Sequence, residues 1–469
     1  MLRRSFVLAF LLLPLAVAAQ PATADVLPEA EASFENGLAS YESGVYEEAF
    51  RLFDRAATGF EFHARTTAAL LMAGKSAYAL GDFDQAIARL TRLIQRYPGS
   101  RYRDEAERVL ALAVQGGPDD RTAPEVFHLG VALPATGETG YLAQALFNGI
   151  RLAVDEHNAA NAHQPVRLVF RDTGGTEEGA RAAVEQAARA GATVVIGPLF
   201  SEEAVAAGDA ADRQSVVLIA PLATEESVSQ GRRLIFQTNP TFRMRGRVMA
   251  DYATRRLGLT RFGVVANRDS YGDTMADAFE EEARSLGAQV LVSARLTSGG
   301  AWDRLGEEVA PDALFDAEAV YLPVSGGDAA EHAADALRSL EQLGLTGRTR
   351  PLGNTEWEGL AASRDRASAF RTVFTQDFHV DDAASAAFVE RYRALAGLGA
   401  DRLALIGYDA TRFLLQLVDT DEPAPELADR IRRAPLYQGL AHRIHFDGEQ
   451  VNRALFIMGY QGGEAVVVE

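Results

Sequence analysis

Apolar and polar positions follow two different rhythms along the chain. Over residues 27–115, apolar positions recur at the spacing of amphipathic helices. Over residues 126–469, short apolar runs such as TVVIGPL alternate with helical segments such as TEEGARAAVEQAARAGA. Because such alternation is typical of parallel sheets covered on both faces, it predicts an α/β fold of doubly wound parallel sheets after an all-α domain. The polar, Gly- and Pro-rich segment between them predicts a linker over 116–125.

The helical region contains an internal repeat. The segments GLASYESGVYEEAFRLF and GKSAYALGDFDQAIARL superimpose without gaps, so that Gly44 matches Gly81 at an offset of 37 residues. A repeat of this length with small, aromatic and glycine positions resembles tetratricopeptide repeats. Such units bury their apolar faces mainly against neighbours. We interpret the repeats either as a groove that binds a partner protein or as a helical stalk.

The N-terminus has the pattern of a targeting segment. Arg3 and Arg4 precede an apolar run from Phe6 to Val17, and small residues follow it. This pattern predicts a cleavable signal peptide over residues 1–24, too short for a stable membrane span. The letters RRSF leave open whether export uses the general or the twin-arginine route. Since the chain has no cysteine that could carry a lipid anchor, we expect a periplasmic protein that does not span a membrane.

Composition narrows the classes of function. The formal net charge of −19 makes nucleic acid an unfavourable partner. The lack of cysteine excludes disulfides, thiolate metal sites and cysteine nucleophiles. The sequence has neither a G-x-S-x-G elbow nor a Walker-type phosphate loop, and His442 and His445 are expected on opposite faces of a strand. We therefore predict a binding protein rather than an enzyme, with no cofactor and no metal.

Hydroxyl side chains follow two of the predicted strands. Ser201 comes after the run VVIGPLF, and Thr224 comes after VVLIAPLA, each where a helix is expected to begin. Ligands of parallel α/β sheets bind at the carboxyl ends of the strands, and helix N-termini present unpaired N–H donors that suit a carboxylate. Ser201 and Thr224 are therefore candidate ligand contacts, with plain helix capping as the alternative.

Several pieces of the second region occur in the order of a known family. They include LGVALPATGETG, VIGPLFS, IAPLAT, FQTNPT, RDSYGDTMADAFEEEARSLGA and ALIGYDATRFLLQLV. In these pieces the chain resembles type I periplasmic binding proteins, especially the leucine/isoleucine/valine-binding family. The resemblance implies a Venus-flytrap fold, in which two lobes close over a small ligand by a hinge. Lobe I would comprise about 126–243 and 380–445, and lobe II about 244–379 and 446–469.

The same resemblance implies which residues contact a ligand. The implied positions in lobe I are Ser201, Leu222, Ala223 and Thr224, with Tyr141 and Leu142 at a wall. In lobe II, Tyr271 matches an aromatic position that contacts the ligand. The family's acidic partner of the ligand ammonium falls on Thr355, with Glu356 next to it, and a second aromatic position falls on Ser325. Because a buried ammonium needs an anion or strong acceptors, we expect the ligand to differ from a plain aliphatic amino acid.

Two functions remain open from the sequence. The first is a solute-binding protein that captures an amino acid or a related small molecule for an ABC permease. The second is a regulator that contacts a cell-wall synthase, since helical repeats followed by two binding lobes resemble the activators of penicillin-binding proteins. The two-lobed region favours the first function, and the fused repeats favour the second.

Overall fold

A computed structural model describes residues 26–115, 126–136, 139–161, 164–297, 299–418 and 422–469. The predicted signal peptide and linker lie outside these residues. The chain divides into two units, Met1–Pro124 and Glu125–Glu469. Among the described residues, no helix combines the length and the apolar character that crossing a membrane requires.

The first unit consists of helices in its described part. They are α1 (Pro28–Glu42), α2 (Tyr46–Thr58), α3 (Thr66–Ala79), α4 (Phe83–Arg96) and α5 (Arg103–Gln115). Consecutive helices pack against one another around an apolar core. A Cβ atom on Gly37 would lie 2.9 Å from the ring of Phe53, and one on Gly74 would lie 2.6 Å from Leu90. The repeated glycines therefore let equivalent helix pairs approach closely, and the helical prediction is confirmed.

The second unit begins with a five-stranded parallel sheet. Its strands are β1 (Phe127–Leu133), β2 (Val166–Asp172), β3 (Val194–Ile196), β4 (Val217–Ala220) and β5 (Ile235–Gln237). Their order in the sheet is β2-β1-β3-β4-β5. The intervening helices are α6 (Gly140–Ala160), α7 (Glu177–Arg189) and α8 (Ser201–Gln214). Every residue of β3 and β4 is buried, as a sheet covered on both faces requires.

The remaining strands and helices follow along the chain. The strands are β6 (Arg261–Asn267), β7 (Gln289–Leu296), β8 (Ala319–Leu322), β9 (Arg350–Gly353), β10 (Val373–Gln376), β11 (Tyr437–Gln438), β12 (Arg443–Ile444), β13 (Phe456–Gln461) and β14 (Glu464–Val467). The helices are α9 (Phe242–Asp251), α10 (Ser270–Ser285), α11 (Leu305–Glu308), α12 (Pro311–Asp316), α13 (Ala329–Gln342), α14 (Arg364–Ala369), α15 (Asp382–Ala396), α16 (Arg402–Leu415) and α17 (Ala424–Arg433).

A second, seven-stranded sheet has the order β14-β13-β10-β9-β8-β6-β7. Strand β13 runs antiparallel to both of its neighbours, whereas β6 to β10 pair in parallel. The chain passes between the two sheets after β5, after β10 and before β13. Helices α16 and α17 return to the first sheet and contribute to its core. Phe446, which follows β12, packs on Phe236 of β5 and on Phe413 of α16. The prediction of an α/β fold with doubly wound sheets is confirmed.

Each sheet and its covering helices form one lobe. The first lobe comprises the five-stranded sheet with α6 to α8 and α15 to α17, and the second lobe comprises the seven-stranded sheet with α9 to α14. Three crossing segments join the lobes, namely residues 238–241, 377–381 and 447–455.

Candidate functional site

The strand order of the first sheet reverses beside β1. Strand β2 lies on one side of β1 and β3 lies on the other, and all three run in parallel. Such a switch point opens a crevice at the carboxyl ends of the strands, where ligands of α/β proteins bind. Helix α6 follows β1 and α8 follows β3, so both helices begin at this crevice. The sequence therefore places Tyr141 and Ser201 at the same edge of the sheet.

The first half-site consists of Ser201 and the loop from Leu222 to Thr224. The Ser201 hydroxyl oxygen accepts hydrogen bonds from the backbone N–H groups of Thr224 at 3.2 Å and Glu225 at 3.4 Å. Since the oxygen accepts both, the hydroxyl proton is free to be donated to a ligand. Phe200, which precedes α8, supplies no side-chain acceptor to the first turn of that helix. The half-site thus offers an O–H donor next to a helix N-terminus, an arrangement that fits a carboxylate.

Side chains at the end of β5 hold this loop in place. The amide group of the buried Gln237 donates to the carbonyl oxygens of Ala223 at 3.0 Å and Glu225 at 3.1 Å. Asn239 donates to the carbonyl oxygen of Leu222 at 2.9 Å. The carbonyl groups of Leu222 and Ala223 are therefore committed to internal hydrogen bonds. Their contribution to a ligand site is the fixed shape of the loop.

Aromatic side chains are exposed at the same end of the first lobe. Tyr141 in the first turn of α6 is 73% exposed, and Phe200 before α8 is 43% exposed. Leu142, by contrast, packs against the core of the first lobe. Sequence reasoning missed Phe200, although its position directly before the candidate Ser201 was a usable signal. Exposed rings of this kind supply apolar area for a ligand side chain.

Two glutamates lie in the first turn of α8, close to Ser201. Glu202 is exposed, whereas Glu203 is buried and accepts a hydrogen bond from the Thr173 hydroxyl at 2.7 Å. Burial raises the pKa of Glu203 because the charged form loses hydration.

The second half-site consists of Tyr271, Asn354 and Thr355. Tyr271 lies in the first turn of α10, and its ring packs edge to face on Phe242 with centroids 4.6 Å apart. Its hydroxyl oxygen accepts a hydrogen bond from the side-chain amide of Asn354 at 3.2 Å. Burial raises the pKa of Tyr271, an effect that Arg245 opposes. The phenol therefore stays protonated and can donate its own proton to a ligand oxygen.

Ser325 lies near this half-site but its polar groups are engaged within the second lobe. Its hydroxyl donates to the carboxylate of Asp269, and its backbone N–H donates to the side chain of Asn267 at 3.1 Å. Asp269 in turn accepts from the N–H of Gly272 at 2.6 Å and so caps α10. Ser325 thus supports the helix that carries Tyr271.

Thr355 is half-buried and Glu356 is exposed. The Thr355 hydroxyl oxygen accepts a hydrogen bond from the guanidinium of Arg245 at 2.9 Å. The same hydroxyl lies 3.4 Å from the carbonyl oxygen of Thr375, to which it donates. A cationic side chain therefore already lies against the position that the family resemblance linked to a ligand ammonium.

Arg245, Asn239, Asp377 and Arg402 form a group of charged and polar residues at the crossing segments, which we call the crossing network. Arg245 donates to Asp377 at 3.1 Å and to Asn239 at 3.2 Å, and Arg402 from the first lobe donates to the same oxygen of Asp377 at 2.7 Å. Burial alone would raise the pKa of Asp377, but the two guanidinium groups outweigh it and lower the pKa to about 2. Asp377 is therefore ionised at any physiological pH.

The crossing network connects the two half-sites by hydrogen bonds. Asn239 donates to Leu222 of the first half-site and accepts from Arg245, and Arg245 donates to Thr355 of the second. Sequence reasoning missed these residues. Asp377 gave a usable signal, because it is a charged residue that directly follows the strand VFTQ.

Family comparisons agree with this architecture. The profile of the periplasmic binding protein family matches residues 127–464, and a tetratricopeptide repeat profile matches residues 68–100. The chain belongs to the periplasmic binding protein family and carries a tetratricopeptide-type repeat before the binding domain. No curated protein sequence matches the chain.

Solved structures share the fold of the second unit. A Rhodospirillum rubrum protein described as a branched-chain amino acid ABC transporter has 22% identity and a TM-score of 0.57, and the match covers 73% of this chain and 100% of that one. An ABC transporter substrate-binding protein from Desulfitobacterium hafniense in complex with Leu has 22% identity, a TM-score of 0.50 and the same two coverages. A Sphaerobacter thermophilus substrate-binding protein has 20% identity, a TM-score of 0.52 and coverages of 74% and 97%.

Proposed function

We propose that this protein is a periplasmic solute-binding protein that captures a small carboxylate, such as an amino acid or a related compound, between its two lobes for ABC-type uptake. The observation that carries the proposal is the pairing of the Ser201 hydroxyl with the backbone N–H groups of Thr224 and Glu225 at the start of α8. The Leu complex of the Desulfitobacterium hafniense protein supports the choice of a carboxylate solute.

Binding follows from the chemistry of the two half-sites. The carboxylate accepts a hydrogen bond from the Ser201 hydroxyl and is stabilised by the partial positive charge at the N-terminus of α8. Tyr141 and Phe200 cover the apolar part of the solute. Tyr271 approaches from the second lobe and contacts the same solute only when the cleft closes. Because the solute then interacts with both lobes, its binding free energy shifts the population toward the closed form.

Calorimetric titration with amino acids and organic acids tests the proposal. A solute at about a hundred times its dissociation constant should also raise the unfolding free energy by roughly 2.7 kcal/mol.

Replacing Ser201 with Ala removes a hydrogen bond to a charged group, worth about 1.5–3 kcal/mol, and should weaken binding by about ten- to a hundredfold. The matched control is Ser227→Ala, which changes an exposed serine in the following loop. Equal affinity of the Ser201→Ala variant and the control would contradict the assignment.

The helical repeats favour a second candidate function, regulation of a cell-wall synthase through protein contacts. The first unit forms its own apolar core. Capture of a solute between the two lobes does not require this unit. Failure of every small carboxylate to bind, combined with stimulation of a purified peptidoglycan synthase by the protein, would replace the first proposal with this one.

A further inference from the structure

A buried guanidinium group lies directly against the second half-site. The guanidinium of Arg245 is buried, with hydrogen bonds to Thr355, Asn239, Asp377 and the carbonyl oxygen of Pro240. Asp377 is the buried carboxylate here, and it is shared between Arg245 and Arg402. Arg245 and Asp377 are both desolvated, whereas the side chain of Arg402 is 48% exposed, so Asp377 is already paired with a buried cation.

Neither of the two carboxylates whose charges act on Tyr271, Asp377 and Glu356, offers a desolvated partner for a cation. The second oxygen of Asp377 has no hydrogen-bond partner among the described residues, but it is buried and has no surface open to a solute. Glu356, whose charge also acts on Tyr271, is exposed to water. An ion pair between exposed groups contributes little, because water screens both charges.

Among the hydroxyl groups of Tyr271 and Thr355, the Tyr271 hydroxyl is able to donate a hydrogen bond to an acceptor atom of the ligand. The Tyr271 oxygen already accepts the Asn354 N–H at 3.2 Å, so its own proton is left to donate. The Thr355 oxygen already accepts from Arg245 and its proton is directed to Thr375. A keto or hydroxyl oxygen of the ligand would accept a hydrogen bond from the Tyr271 hydroxyl. An ammonium would instead lose hydration and approach Arg245, while the buried anion Asp377 is already paired with Arg245 and Arg402.

We propose that Arg245 determines the specificity of the cleft and selects carboxylates that lack an ammonium group, namely 2-oxo and 2-hydroxy acids with an apolar tail. The apolar tail follows from the exposed rings of Tyr141 and Phe200. The inference rests on the proposed function, because it assumes that the cleft takes a carboxylate through Ser201. Arg245 acts by its charge and by the fixed position that Asp377 and Asn239 give it.

Solutes that share a carbon skeleton test the proposal directly. The purified protein is titrated calorimetrically with leucine, 4-methyl-2-oxopentanoate and 4-methyl-2-hydroxypentanoate, and with the corresponding acids of the alanine and phenylalanine skeletons. We expect the oxo or hydroxy acid of at least one skeleton to bind about tenfold or more tightly than its amino acid. Equal or tighter binding of the amino acid in every skeleton that binds would overturn this inference alone. No binding in any skeleton would overturn the proposed function and this inference together.

Substitutions then identify the residue responsible. Glu356→Gln should leave the preference unchanged, and loss of amino acid binding in this variant would show instead that Glu356 anchors an ammonium. Arg245→Gln should reduce the ratio of oxo acid to amino acid affinity by about tenfold. Fluorescence of the buried Trp302 and Trp357 in the second lobe checks that the variant is folded.

A second variant keeps the test independent of any folding defect in Arg245→Gln. Tyr271→Phe removes the hydroxyl donor while the ring still packs on Phe242. We expect this variant to weaken oxo acid binding by about tenfold and to leave amino acid binding nearly unchanged. A parallel loss for both solutes would show that Tyr271 has only a structural role, and it would contradict the donor assignment.

Discussion

His442 is a buried histidine close to the crossing network. Its ring lies 5.2 Å from that of Phe378, and its Nδ1 atom is 3.9 Å from the carboxylate of Asp409. Burial lowers the pKa of His442 to about 4, because the cationic form would lose its hydration. The unfolded chain therefore binds a proton at a pH at which the folded protein does not. The stability that the neutral ring contributes is complete above about pH 6.5 and falls as the pH drops through 4.

Replacing His442 with Gln should flatten this dependence. Loss of the ring costs a roughly constant amount, whereas the titration contributes up to roughly 3 kcal/mol between pH 6.5 and 4. The unfolding free energy of the variant should therefore approach that of the wild type as the pH falls. Asp409, whose pKa burial raises to about 6, acts in the opposite direction over the same range and is present in both proteins. Urea unfolding at a series of pH values measures the difference, and a difference independent of pH would contradict the expectation.

Single residues differ in how well the sequence predicts them. Ser201 and Thr224 are candidates from sequence because a hydroxyl a few residues after a buried strand lies near the carboxyl end of a parallel α/β sheet. The ion pair between Arg245 and Asp377 could not be predicted from the sequence, since the two residues are 132 positions apart and lie on different elements. Periodicity indicates which positions are buried, but it does not indicate which buried charges meet.

Helices α6 and α16 of the first lobe cross with their backbones in contact. A Cβ atom on Gly149 would lie 2.0 Å from the carbonyl oxygen of Ala404, and one on Gly407 would lie 2.3 Å from that of Leu146. Both helices carry apolar residues at helical spacing, in the stretches FNGIRLAVDEHNAA and ALIGYDATRFLLQLV. The contact between them was not predictable, since a helical glycine does not reveal what packs against it.

Gly149→Ala should separate these two helices. The added methyl group meets backbone rather than a side chain that could move, so we expect a loss of at least about 2 kcal/mol of unfolding free energy. Gly399→Ala is the matched control, because a Cβ atom there meets nothing within 4 Å. Urea unfolding followed by circular dichroism compares the two variants. Similar midpoints for both would mean that the helices can move apart without cost.

At the scale of the molecule, a side chain of the third crossing segment is hydrogen-bonded to the first crossing segment. The amide of Asn452 in the third segment donates to the carbonyl oxygens of Thr238 at 2.9 Å and Arg443 at 2.7 Å. Its oxygen accepts the N–H groups of His445 at 2.9 Å and Ala454 at 3.0 Å. The family resemblance predicted two lobes and a hinge. It could not predict this fastening, which depends on contacts between segments more than 200 residues apart.

Asn452→Ala should loosen the hinge and weaken solute binding together. The substitution leaves two carbonyl and two N–H groups without their partner, and each unpaired buried group costs about 1–3 kcal/mol. Part of that cost disappears if water enters, so we expect a loss of a few kcal/mol of unfolding free energy. Affinity should fall as well, because the solute must then order a looser hinge before it can contact both lobes. Asn161→Ala is the control, since the side chain of Asn161 is hydrogen-bonded to His157 at the end of α6. Unchanged affinity in Asn452→Ala, despite a lower melting temperature, would show that Asn452 stabilises the fold without holding the hinge in its binding-competent geometry.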